Sequence, residues 1–207
     1  MSQRDLGLWR RALADRADLL TSLAKGPLGA QVFRLSNLVG HALEADRKVL
    51  FFGNGGSAAL AQHAAAELVG RFEKKRKALA ALALTTDLSV LTAVANDYGY
   101  DRVFERQIES LACRGDVAIA LSASGRSPNV LRGLRAATRC GARTAALLGQ
   151  GGGLARELAG LALIVPASRV SLIQEVHELI VHVLCEQVDR RLATSRARSQ
   201  ARHGGNA

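Results

Sequence analysis

The chain has 207 residues, 48% hydrophobic and only 4% aromatic, enough for one domain whose core is filled by Ala, Leu and Val and too short for two of ordinary size. A net charge of +10 could attract nucleic acid, but five arginines and no acid lie between Arg190 and Ala207, and the other basic run, Lys74-Lys75-Arg76-Lys77, has no interleaved aromatics to stack on bases. A solvated tail and an exposed loop are therefore expected, and no nucleic-acid partner. Cys113, Cys140 and Cys185 are odd in number and form no C-x-x-C, which argues against a disulfide framework or zinc knuckle and for a reducing, cytoplasmic setting. No apolar segment follows Met1-Ser2-Gln3-Arg4-Asp5, and no apolar run approaches the length of about 18 residues that a membrane span needs, so neither signal peptide nor span is expected.

In chain order, Leu6, Trp9, Leu13, Ala17, Leu20 and Leu23 fall at helical spacing and predict a helix over 4–25, stopped by Gly26-Pro27. A second helix is expected over 30–45. No strand precedes this pair, which could pack on a partner subunit or cover its own sheet. Strands are predicted over 48–52, 78–84, 116–121, 143–148 and 161–165. Helices are predicted over 58–69, 88–95, 101–113 and 128–140. A short helix is expected to open on Gly151-Gly152-Gly153, and a long one to run from 170 to about 192. Alternating strands and helices imply one α/β domain, a doubly wound five-stranded parallel sheet with helices on both faces and a two-helix N-terminal preface. The domain is expected over 1–193, followed by a basic, disordered tail over 194–207.

Two loops carry most of the chemistry: Gly53-Asn54-Gly55-Gly56-Ser57, and Ser122-Ala123-Ser124-Gly125-Arg126-Ser127-Pro128-Asn129. Each follows a predicted strand and opens a helix, where unpaired N–H groups and the helix dipole stabilise an anion. Glycines allow close backbone approach and serine hydroxyls donate to phosphate oxygens. The first loop lacks the last glycine of G-x-G-x-x-G and contains no Gly-Lys-Ser/Thr, so neither a dinucleotide fingerprint nor a Walker loop is present. Together the loops suggest a monophosphate site. On the next helix His63 and Glu67 form an i, i+4 pair that could ligate a metal, supply a carboxylate base, or simply face solvent. On the last helix Gln174, Glu178 and His182 share one face, which either lines a site or meets water.

These stretches, with Gln62-His63, Glu67-Leu68, Gly70-Arg71, Asn96-Asp97 and Ile173-Gln174-Glu175, resemble the SIS (sugar isomerase) domain family and within it the phosphoheptose isomerases. The order and spacing match from about residue 5 to 190. The resemblance implies a flavodoxin-like sheet, a homotetramer with sites at subunit boundaries, and conversion of sedoheptulose 7-phosphate to D-glycero-D-manno-heptose 7-phosphate through an enediol. It implies that Glu67 and His182 are the acid/base pair. Asn54, Gly55, Gly56, Ser57, Glu67, Asn96, Asp97, Ser122, Ala123, Ser124, Ser127 and Gln174 would bind substrate, with Ser122, Ser124 and Ser127 at the phosphate. His63, Glu67, Gln174 and His182 would hold zinc. A regular helix sets Gln174 and His182 about 12 Å apart along its axis. Sharing one ion would then require extended side chains, an irregular helix start, or ligands from different subunits.

The chain departs from the family pattern at Leu172, where many relatives have Arg before Ile-Gln, and at Ser171, Ala66 and Ala58. These changes bear on the sugar's distal hydroxyls rather than on phosphate or proton transfer. Two rival classes follow from the same fold. One is a non-catalytic SIS tetramer that binds the bacterial replication initiator, which would be expected to lack the Glu and the final His. The other is a sugar-phosphate-sensing transcription factor, which would carry a helix-turn-helix ahead of the first strand.

Overall fold

Both central strands are buried along their whole length, because helices cover the sheet on either side. The computed structural model describes residues 3–203, with side chains over 5–194. Strands β1 (Val49–Gly53), β2 (Ala81–Ala83), β3 (Val117–Ser122), β4 (Arg143–Leu148) and β5 (Leu161–Ile164) pair only in parallel, in the order β2-β1-β3-β4-β5. This is the flavodoxin-like order, with its reversal between β1 and β3. The Val, Leu, Ile, Phe and Ala runs of β1 and β3 read as continuous apolar segments because neither face meets water. Edge strand β2 is shorter than the expected 78–84, in keeping with its alanines and the low β-propensity they carry.

Helices α2 (Leu28–Glu44), α3 (Gly56–Val69) and α8 (Val170–His203) pack on one face around Val49, Phe51, Ile119 and Leu147. Helices α5 (Val103–Leu111), α6 (Pro128–Arg139) and α7 (Ala155–Leu158) pack on the other around Leu50, Phe52, Ala120 and Leu148. Helix α4 (Leu88–Tyr98) buries no residue fully and lays Leu91, Val94 and Ala95 on that second layer. Of the N-terminal pair, α2 covers its own sheet, whereas α1 (Gln3–Lys25) leaves Leu8, Trp9, Leu13 and Leu20 exposed.

Several boundaries differ from expectation for local reasons. Helix α3 starts at Gly56 because Gly55, at φ 55°, makes the turn in a single residue. The three glycines 151–153 all take positive φ and form a turn, so α7 begins only at Ala155. The last helix continues past Leu192 to His203. The expected tail over 194–207 falls, from 195 on, where side chains lie outside the described residues, and 204–207 lie outside them altogether. One expectation is corrected outright. Lys74, Lys75 and Lys77 are exposed, but the Arg76 side chain is only 6% exposed and pairs with Asp189.

Candidate active site

Pairing of β1 with β3 brings Gly53 beside Leu121, so the two glycine- and serine-rich loops leave the sheet side by side at the β1/β3 reversal. Between them lies a cavity of about 230 Å³ lined by Asn54, Ser57, Ser122, Ala123, Ser124, Ser127 and Gln174, with Gln150 and Val170 from the neighbouring segments. The Ser122 hydroxyl accepts the Gly125 amide at 3.0 Å, and that of Ser124 accepts the Arg126 amide at 3.3 Å. Each serine thus spends an oxygen lone pair on the loop and keeps its hydroxyl proton for a ligand. Ser127 stands at the N-cap of α6 without a capping bond, so its hydroxyl is also uncommitted there. The chemistry of this cavity is that of an anion cradle.

Asn54 is held by partners that the sequence does not advertise. Its side-chain amide exchanges two hydrogen bonds with Asn129, at 2.9 and 2.8 Å, and its Oδ1 also accepts the Tyr100 hydroxyl at 3.1 Å. The signal for Asn129 was its position in the first turn of the helix after the serine loop. Tyr100 carried none.

A second cavity, of about 510 Å³, is lined by Gly56, Ala59, His63, Gln174, Glu175 and Glu178 among others. Gln174 belongs to both cavities and joins them. A Cβ at Gly56 would come within 2.6 Å of the Gln174 amide nitrogen, so glycine leaves room for the Gln174 carboxamide to lie against the first loop. Of the expected acid/base and metal groups His63 and Gln174 line this cavity, whereas Glu67 and His182 line neither cavity and reach it through His63: the His63 and His182 rings meet with Nε2 atoms 2.9 Å apart, and His63 Nδ1 faces a Glu67 oxygen at 3.8 Å. The imidazole of His63 therefore links the carboxylate of α3 to the imidazole of α8. Phe72 lies against His182, with ring centroids 5.6 Å apart.

The donor set fits a zinc ion. His63, His182 and Glu178 each bring a ligand atom within 4.8 Å of the others, and imidazole and carboxylate are zinc donors. The 2.9 Å between the two Nε2 atoms is a few tenths below the roughly 3.3 Å that tetrahedral Zn–N bonds require. Glu178 was not among the expected ligands, although it stands on the same stripe of α8. That helix is regular from Val170, which removes an irregular start as the way for Gln174 and His182 to share an ion.

Not every expected residue enters the site of this chain. Asn96 and Asp97 lie exposed on the last turn of α4, bonded to each other at 2.8 Å, and line neither cavity. Gly55 is exposed on the rim of the first loop.

Residues 16–149 match the SIS domain. A phosphoheptose isomerase of Aquifex aeolicus is 52% identical over 159 residues, 77% of this chain and 83% of that one. One from Citrifermentans bemidjiense is 48% identical over 180 residues, 87% and 93% of the two chains. The solved phosphoheptose isomerase of Neisseria gonorrhoeae superposes with a TM-score of 0.81 at 39% identity, covering 88% of this chain and 99% of that one.

Proposed function

The chain belongs to the SIS-domain family, in its phosphoheptose isomerase branch, and we propose that its two joined cavities take a seven-carbon ketose phosphate and convert it to the aldose. It is a sugar-phosphate isomerase, with sedoheptulose 7-phosphate as substrate and D-glycero-D-manno-heptose 7-phosphate as product. One observation carries this reading. His63, whose ring meets both His182 and Glu67, lines the cavity that Gln174 joins to the serine cradle. A phosphate at one end and proton-transfer groups at the other are what the reaction needs.

Ser122, Ser124 and Ser127 donate to the phosphate, with Ser57 and the backbone of Gly55, Gly56 and Ala123 beside them. Asn54, fixed by Asn129 and Tyr100, and Gln174 orient the sugar chain. Glu67 and His182 divide the proton work: one removes a C1 proton and returns a proton to C2, the other moves the proton between the two oxygens of the enediol. Zinc is the proposed resident metal, held by His63, Glu67, Gln174 and His182, with Glu178 as a further donor. When bound it would supply Lewis-acid polarisation of the substrate carbonyl. Asn96 and Asp97, exposed on α4, are proposed to serve sugar hydroxyls in a homotetramer whose sites lie at subunit boundaries. Three free cysteines suit a reducing cytoplasm. No helix among the described residues is long and apolar enough to cross a membrane. Retention of both Glu67 and His182 argues against a purely binding role.

The test is turnover of sedoheptulose 7-phosphate by the purified protein, beside Glu67→Gln and His182→Ala. Each variant is expected to lose about 100-fold or more in kcat, the range of a general acid or base. Wild-type protein inert on this sugar even with added zinc would refute the substrate, and variants that turn over normally would refute the acid/base assignment.

A further inference from the structure

One buried ion pair outside the two cavities lies behind the acid/base pair. Arg76 and Asp189 are almost wholly buried, with side chains 6% and 5% exposed, and the Arg76 Nε donates to Asp189 Oδ1 at 2.6 Å. The rest of the guanidinium does not meet a second acid. Its Nη2 donates to the Glu67 carbonyl at 2.7 Å and its Nη1 to the Leu68 carbonyl at 2.8 Å. These two are carbonyls of the last turn of α3, which have no partner within the helix, and Nη1 also donates to the Lys77 carbonyl at 3.1 Å. Asp189 lies on α8, seven residues after His182. One rigid fork therefore bridges the end of the helix that carries Glu67 to the helix that carries His182. Cys185 lies within the same cluster: burial first, then the nearby Glu67 and Asp189 carboxylates push its thiol up to about 12, while Arg76 opposes them. The same loop that delivers Arg76 also lays Phe72 on the His182 ring.

A buried ion pair is a poor way to gain stability, since desolvation offsets most of the attraction. Guanidinium geometry, by contrast, fixes four acceptors at once, which an ammonium with three donors on a flexible stem cannot do. We infer that Arg76, bonded to Asp189 and helped by Phe72, is a positioning residue that holds Glu67 and His182 in register for proton transfer. The inference rests on Glu67 and His182 being the acid/base pair. Arg76 itself touches neither cavity lining and transfers no proton.

The experiment compares Arg76→Lys and the double variant Arg76→Met/Asp189→Leu with wild type and Glu67→Gln, measuring kcat, KM and melting temperature of the full chain. The double variant removes both buried charges together, so neither is left unpaired, but the carbonyls that Arg76 served lose their donor, so its melting temperature should fall by a few degrees while the chain stays folded. Arg76→Lys keeps the charge opposite Asp189 but cannot reach all four acceptors. Both should lose about 10- to 100-fold in kcat, the scale of a small misplacement of a reacting group, with KM changed by less than about twofold because the serine cradle is untouched. A lowered melting temperature with kcat near wild type in either folded variant would show a purely structural role and overturn the inference. Normal turnover by Glu67→Gln would instead remove the acid/base assignment, and the positioning role with it.

Discussion

His177 has none of its surface exposed, and its Nε2 lies 3.1 Å from the carbonyl oxygen of Leu148. An oxygen acceptor there requires a proton on Nε2, so Nδ1, which has no partner, is bare and the ring is neutral. Burial pushes its pKa down to about 4, with the Leu148 carbonyl opposing. The unfolded chain binds this proton near the ordinary value of 6.5. The unfolded state therefore holds more protons between these two values, and stability falls as pH drops through that window and is flat above it. The loss is on the order of 3 kcal/mol at most. Urea midpoints at pH 7 and pH 4.5 should show it in wild type, and His177→Gln, which keeps a donor to Leu148, should show a smaller drop. An equal drop in both proteins would assign the effect elsewhere. None of this was visible in the chain, where His177 is one of many polar residues on α8; only the packing separates it from His182, five residues on, which is half-buried beside His63.

At the scale of elements, the serine loop is not free-standing. Gly149 N–H donates to the Ala123 carbonyl, and Ala155 N–H to that of Gly125, so the loop after β3 leans on the turn after β4. Gly125 has φ 61°, and a Cβ there would stand 1.9 Å from the Gly152 carbonyl oxygen. Gly125→Ala should therefore separate the two turns, with a destabilisation of about 2 kcal/mol or more and a raised KM as the serines lose their alignment. A melting temperature and KM equal to wild type would mean that the loop accommodates the methyl at no cost. At the opposite end of the sheet, Asp116 ties β1 to β3. Burial would raise its pKa, but the Lys48 ammonium and the amides of Cys113 and Lys48 outweigh it and hold the carboxyl below its ordinary value. The strand ends opposite the candidate site are thus pinned, while those facing it carry loops.

For the whole molecule, Leu20 of α1 and Phe33 of α2, both exposed, line a groove of about 300 Å³ that α1 and α2 form with α8, and Leu8, Trp9 and Leu13 are exposed nearer the start of α1. Apolar surface of this kind suits a contact between chains, and a second copy is the occupant that the proposed tetramer would supply. Trp9→Glu/Leu13→Glu should reduce the native mass in light scattering and lower turnover; an unchanged mass would exclude α1 from the assembly. How much was legible beforehand follows the range of each interaction. The five strands, their parallel pairing and both loops of the candidate site could be derived from sequence, because covered strands are continuous apolar runs and strand-to-helix turns carry glycine and serine locally. The seat of Arg76 could not, since its neighbours Lys74, Lys75 and Lys77 imply a solvated run and its partner Asp189 is 113 positions away. The same holds for Asn54 and Asn129, 75 apart, and for Glu178 joining His63 and His182. By itself the sequence determined which elements form and which groups the site could use. Tertiary structure alone decided which charge is buried and which groups meet, because periodicity records a residue's own face but not what the topology lays against it.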